Sequence, residues 1–277
     1  PVVTLSGAET VVEGAAAITG VWNLAAGADG VTPANFTISI DGGAAQQVVP
    51  GDAIVVAGKG TLTINENQTW SFAPLGNLDN KDGVSLSFTL SAKDGDNDTS
   101  SATHTISVTD GSGPVVSGPN GGEITLALDD QNLANGSTPG NPDFAQDAIT
   151  FKAGSDAIAS LKFGTDLSTL STAAGLVWSR VSDTQIIGKI GATTVVTLDL
   201  TANAGNTSAT VKATLNSNYT GHTALGDDLA VLGSVKVVAT DTDGDTAQGT
   251  VNVTVSDDVP VVTLSGAETV VEGAAAI

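Results

Sequence analysis

Residues 84–92, VSLSFTLSA, place Val84, Leu86, Phe88 and Leu90 alternately with Ser and Thr. A period of two predicts a strand with one buried face. Residues 249–256, GTVNVTVS, do the same with Val251, Val253 and Val255. In residues 60–72, GTLTINENQTWSF, the apolar positions Leu62 and Ile64 are followed by a polar turn at 65–68 and then by Trp70 and Phe72. That is a hairpin signal. Residues 184–200, TQIIGKIGATTVVTLDL, return to strand pattern, and clusters of Gly, Asn and Asp punctuate the runs at short intervals. Many short strands with frequent turns predict an all-β sandwich architecture. Two stretches depart from it. Residues 129–144, DDQNLANGSTPGNPDF, read as an exposed loop. Residues 165–175, TDLSTLSTAAG, predict one short helix, with Leu167, Leu170 and Ala174 on one face, Thr165 or Asp166 as cap and Gly175 as stop.

The chain repeats itself on two scales. Residues 1–18, PVVTLSGAETVVEGAAAI, recur without change at 260–277. Identity over that length predicts a tandem array, of which this chain is an excised piece slightly longer than one period. A second repeat lies within the period. Residues 92–114 align with 239–260, so that Asp94, Asp96 and Asp98 fall on Asp241, Asp243 and Asp245, and Asp110 falls on Asp257. Pro-Val-Val follows each block, at Pro114 and Pro260, and also opens the chain at Pro1. The expected domains are therefore 1–112 and a longer 113–258, with 259–277 forming the first strands of a third copy.

Charge narrows the possible partners. Thirty acidic residues face nine basic ones, for a formal charge of −21. Nucleic acid and anionic membranes need Lys and Arg, so they are excluded, and cations are favoured. There is no Cys, hence no disulfide and no thiolate metal site. No apolar run reaches the length of a membrane span, so no membrane insertion is expected.

The aspartate triplets raise a physical problem. In each half the triplet joins two alternating strands and so occupies a hairpin turn. Carboxylates ~6 Å apart repel by roughly 1–3 kcal/mol per pair. A lone triplet reads equally well as a solvated turn, since Asp, Gly and Asn are ordinary turn residues. Recurrence in register favours a bound cation. Ca²⁺ accepts several oxygens in loose geometry; Mg²⁺ demands a stricter octahedron, and Zn²⁺ would want His or Cys, of which only His104 and His222 exist. The triplets do not match the EF-hand spacing. The candidate Ca²⁺ ligands are Asp94, Asp96, Asp98, Asp241, Asp243 and Asp245, completed by Asp110, Asp257 and Asp258 beside the Pro-Val-Val starts.

The stretches GTLTINENQTWSFAP and AKDGDNDTSSATHTISV resemble bacterial cadherin-like and VCBS-type repeats. Residues from ITFKAGSDAIASLKFG to VVATDTDGDTAQGTVNVTVSDD resemble the tandem extender repeats of giant RTX adhesins exported by type I secretion. The resemblance implies immunoglobulin-like β-sandwiches, Ca²⁺ at the Asp turns and junctions, and a monomeric spacer on the bacterial cell surface. Its partners would be the neighbouring repeats, and its role would be biofilm formation or surface attachment.

Other constellations are weaker. Asp129–Asp130 and Asp227–Asp228 are adjacent carboxylates, which a strand would point to opposite faces, so neither forms a glycosidase pair. They read as loop acids or further ion ligands. No nucleophile–base motif surrounds any Ser, and an enzyme is not expected. Trp22 and Trp178 raise the alternative of a carbohydrate-binding module, with core packing as the commoner fate of Trp. His104 shares the parity of Ile106 and Val108 and reads as a sheet-end residue, and His222 lies in a loop.

Overall fold

The computed structural model describes residues 1–260 together with 262 and 264. The third-copy strands expected over 259–277 therefore fall almost entirely outside the described residues. Alternating sequence becomes strand throughout. The first ten strands are β1 (Val2–Gly7), β2 (Thr10–Val12), β3 (Ile18–Ala25), β4 (Val31–Ile40), β5 (Gln46–Gln47), β6 (Ala53–Val56), β7 (Gly60–Ile64), β8 (Thr69–Pro74), β9 (Val84–Asp94) and β10 (Thr99–Thr109). They form two five-stranded sheets, β1-β3-β8-β7-β6 and β2-β10-β9-β4-β5. The chain changes sheets between its first two strands: β1 runs antiparallel to β3, whereas β2 runs parallel to β10.

The second half repeats this device with longer strands. They are β11 (Val115–Ser117), β12 (Glu123–Asp129), β13 (Phe144–Lys152), β14 (Ile158–Phe163), β15 (Leu176–Ser182), β16 (Gln185–Ile190), β17 (Thr193–Ala202), β18 (Ser208–Leu215), β19 (Leu229–Asp241) and β20 (Thr246–Ser256). The sheets are β11-β13-β18-β17-β16-β15 and β12-β20-β19-β14, with β11 antiparallel to β13 and β12 parallel to β20. The architecture is a tandem of immunoglobulin-like β-sandwiches.

Each sandwich has its own core, built from the inward parity of its strands. Leu62, Ile64, Trp70 and Phe72 of the β7–β8 hairpin face Leu86, Phe88, Leu90 and Ile106 of β9 and β10. Trp70 meets Phe88 edge-on at 5.5 Å, and its indole N–H donates to the Ser6 carbonyl at 3.0 Å. His104 joins this core: its Nε2 lies 2.9 Å from the Ala8 carbonyl, and its ring is 4.9 Å from that of Trp70. The second core collects Leu126, Ile149, Phe163, Leu198, Val211, Val237 and Val253.

The short helix expected over 165–175 is not formed. Only a single 3-10 turn, Ala173–Gly175, is present there. Leu167 and Leu170 do face the core as their spacing requires, but on a chain of turns. Asp166 accepts the Ser168 N–H at 2.9 Å, Leu170 N–H donates to Leu167, and Leu170 bridges Gly233 of β19. Ser and Thr side chains and the neighbouring strand offer this backbone partners that a helix would have to give up. The loop at 129–144 is largely exposed, with Asp130 and Leu133 the buried exceptions.

Candidate metal centre

Four strands end their inward-facing rows on a carboxylate. In β9 the row Leu86, Phe88, Leu90, Ala92 continues to Asp94; in β19 the row Val235, Val237, Ala239 continues to Asp241. Beyond β2, Val11 is followed at the same parity by Glu13, and beyond β12, Leu128 is followed by Asp130. The two-residue period turns all four inward, and all four are buried. A buried carboxylate requires hydrogen bonds or a counter-charge.

Part of the requirement is met by backbone N–H groups. Asp94 Oδ1 accepts from Asp98 at 2.9 Å, and Asp241 Oδ1 accepts from Gly244 and Asp245 at 3.0 and 2.7 Å. The first member of each triplet thus caps its own turn. At the other end of each sandwich, Glu13 Oε2 accepts from Leu78 at 2.7 Å and Asp130 Oδ1 accepts from Tyr219 at 3.3 Å. Glu13 Oε1, Asp130 Oδ2 and Asp243 Oδ1 remain buried without any hydrogen bond.

Strand register makes the two sandwiches equivalent at these positions. Val31 pairs with Asp94 as Ile158 pairs with Asp241, so Asp29 and Asp156, each two residues earlier, correspond. Val12 pairs with Thr109 as Asp129 pairs with Ser256, so Glu13 corresponds to Asp130 and Asp110 to Asp257. Each sandwich therefore has an acidic leading end, Asp29–Asp94–Asp96 or Asp156–Asp241–Asp243, and an acidic trailing end, Glu13–Asp110 or Asp130–Asp257.

At the junction the trailing end of the first sandwich meets the leading end of the second. Glu13, Asp110 and Asp156 place ligand-capable oxygens within 4.8 Å of one another, and so do Asp156, Asp241 and Asp243. Asp156 belongs to both groups and links them. Thr242 donates to its Oδ1 at 3.3 Å. The backbones are clamped alongside: Ser155 N–H donates to the Ser112 carbonyl at 2.9 Å, and Ala157 N–H donates to Asn77 Oδ1 at 2.7 Å.

The electrostatics are those of crowded acids. Burial, reinforced by Glu13, pushes the Asp156 carboxyl up to about 7. Asp110 is raised by desolvation and by Asp243, and Asp241 by burial and by Asp243. The Lys and Arg ion pairs among the described residues, Lys59–Asp41, Lys162–Asp183 and Arg180–Asp183, lie elsewhere. Cation-binding chemistry, through hard oxygen donors, is what this arrangement offers.

Of the residues singled out in the sequence, Asp94 and Asp96 gather with Asp29, and Asp110, Asp241 and Asp243 gather at the junction. Asp98 and Asp245 are exposed, with the Asp245 carboxylate against Gly113. Asp257 gathers with Asp130 and His222, whereas Asp258 accepts from the N–H and hydroxyl of Ser137 at 2.9 and 2.6 Å. Glu13, Asp29 and Asp156 are absent from the sequence-based ligand set, and Asp130 enters it only as a loop acid or further ion ligand. Parity at the strand ends was the available signal for Glu13 and Asp130. Trp22 is buried, with its N–H shared between Asn65 and Thr69 carbonyls, and the Trp178 N–H donates to Ser171 while its ring packs on the core. Trp22 is therefore no free stacking platform, whereas Trp178 is half-buried.

Residues 1–109 match the family model described as a bacterial Ig domain. A search of the curated proteins gave no match. Among solved structures, the chain is similar to the titin pair A168–A169, at 12% identity and TM-score 0.30, over 92% of this chain and 99% of that one. It is also similar to a tetra-tandem repeat from the extending region of a large adhesion protein, at 13% identity and TM-score 0.27, over 90% of this chain and 49% of that one. A third similarity is to a bacterial ice-binding adhesin, at 14% identity and TM-score 0.25, over 88% of this chain and 58% of that one.

Proposed function

We propose that this chain is a calcium-stiffened spacer from a bacterial cell-surface adhesin, one that holds a distal binding domain away from the cell in biofilm formation or surface attachment. The observation that carries the reading is the convergence of Glu13 and Asp110 with Asp156, Asp241 and Asp243 across the junction, with two buried oxygens left unbonded. Those oxygens come from both domains, so a cation held among them ties one sandwich to the next. Ca²⁺ suits the donor set because it takes six to eight oxygens in adaptable geometry. Two-domain chains otherwise pivot at their linker. The leading and trailing ends are complementary halves, so stacking of further repeats would rebuild the same arrangement at each new junction. Partners would be neighbouring repeats of the same chain, and each sandwich would add on the order of 40 Å of reach. Asp29, Asp94, Asp96, Asp98, Asp257 and Asp258 would serve the flanking junctions, and Asp245, against Gly113, would serve this one.

Solution scattering of the full chain with calcium and with chelator tests the reading. The expected result is an extended, narrowly distributed particle with calcium and a shorter average length without it. Superimposable curves would overturn the proposal.

A further inference from the structure

The trailing end of the second sandwich differs from that of the first. Leu78 and Tyr219 occupy equivalent places, as the N–H donors to Glu13 and Asp130. Three residues beyond Leu78 stands the exposed Lys81; three beyond Tyr219 stands His222, whose side chain is only 7% exposed. Its ring lies between two carboxylates, with Nδ1 2.8 Å from Asp228 Oδ1 and Nε2 3.3 Å from Asp130 Oδ2. Asp228 is anchored by the N–H groups of Thr223 and Ala224, at 3.2 and 3.1 Å from its Oδ2. Tyr219 stands edge-on to the imidazole at 5.4 Å and holds its plane.

The contact with Asp228 is short, but neither Nδ1 nor Asp228 Oδ1 completes a hydrogen bond. With the proton of a neutral ring on Nδ1, on the Asp228 side, the Nε2 lone pair is turned on Asp130. Asp130 is 4% exposed, and neither its Oδ2 nor His222 Nε2 makes a hydrogen bond. Two buried acceptors face each other, and something positive belongs between them. Asp257 brings a third ligand atom within 4.8 Å of the other two.

We propose that Asp130, His222 and Asp257 form a binding site for a borderline divalent transition ion of the zinc class, with Asp228 as the positioning residue for the imidazole. The Nε2–Oδ2 separation matches the edge of a tetrahedron with metal bonds of about 2.0 Å, which is roughly 3.3 Å. An imidazole whose other nitrogen is held by a carboxylate is the usual zinc-binding arrangement. A nitrogen donor selects such ions over Ca²⁺, which prefers oxygen alone. Asp130 and Asp257 also line a cavity of about 150 Å³ that has room for water as a fourth ligand. The site shares no residue with the junction between the two sandwiches, since it lies at the opposite end of the second one, but Asp257 also belongs to the trailing end that a following repeat would meet.

The test is zinc chloride titrated into the chelator-stripped full chain, followed by calorimetry. One zinc ion is expected to bind, at least 100-fold more weakly in His222→Gln and about 10–100-fold more weakly in Asp228→Asn. The calcium-induced rise in melting temperature should be the same in both variants as in the parent. Imidazole nitrogen spectra should show a protonated Nδ1 in the parent, movement of Nε2 alone on adding zinc, and a mixed tautomer in Asp228→Asn. Absence of zinc binding, equal affinity in His222→Gln, or a ring protonated on both nitrogens and unmoved by zinc would overturn the proposal. The parent's nitrogen spectra decide the matter if His222→Gln does not fold.

Discussion

Glu13 and Asp156 bring carboxylate oxygens within 4.8 Å of each other from two different sandwiches. Both side chains are buried, and Glu13 contributes to raising the Asp156 carboxyl to about 7. Two acids so placed either share a proton or share a cation. Which one prevails sets the mechanics of the junction.

Calcium should stabilise the chain measurably. An ion present at 100 times its dissociation constant contributes about 2.7 kcal/mol. At about 2–4 °C per kcal/mol for a chain of this size, melting should rise by roughly 5–11 °C. In Glu13→Gln the rise should fall by at least half, because the variant removes one charge from the shared group. Differential scanning calorimetry of both proteins, with calcium and with chelator, measures the difference.

Without calcium, acidification should stabilise the protein. An unfolded Asp titrates near 3.9, whereas Asp156 and Asp130 titrate at about 7 and about 6 in the fold. Between about pH 4 and 7 the folded chain holds protons that the unfolded chain has released. Stability therefore falls as pH rises through that window. Melting in chelator should be higher at pH 5 than at pH 8, and Asp156→Asn should flatten the upper part of the slope. Below about pH 4 the trend reverses, because Asp41 and Asp183, held low mainly by Lys59 and by Lys162 and Arg180, lose their charge. A melting curve taken at half-unit pH steps gives the sign directly.

Asp241 does two jobs that substitution can separate. Its Oδ1 accepts two turn N–H groups, and its carboxylate lies within the junction cluster. Asp241→Ala loses both roles and should cost about 1–3 kcal/mol even in chelator. Asp241→Asn keeps an oxygen for the turn but loses the charge. It should melt close to the parent in chelator and show a much smaller calcium-induced rise.

Much of this was legible in the sequence, and the reason is periodicity. Val84 to Leu90 and Val251 to Val255 announced their strands, and the aligned triplets announced the turns. The failure at 165–175 has a local cause: Leu167 and Leu170 carried a helical spacing, but Asp166 and the β19 edge captured the backbone. The site was half visible. Asp110 and Asp243 stood out by repetition, whereas Glu13 and Asp156 come together only when two domains dock. His222 was hidden in a polar loop, because nothing local says that Asp130 and Asp228 converge on it.

The linker glycines should control calcium without touching a single acid. A Cβ placed on Gly154 would overlap the Ser112 carbonyl oxygen, so only glycine lets the 112–113 and 154–155 backbones run side by side. Gly154→Ala must push them apart and break the Ser155–Ser112 hydrogen bond. That displacement moves Asp156, two residues on, away from Glu13 and Asp110. The expected outcome is a calcium affinity at least tenfold weaker and a shorter particle in calcium. The melting of each sandwich in chelator should change little, since both cores lie away from the linker. Gly140→Ala is the matched control, because its Cβ would meet nothing within 4 Å. A Gly154→Ala protein with parental calcium affinity and parental length would show that the junction tolerates separation, and that the carboxylates do not act together across it.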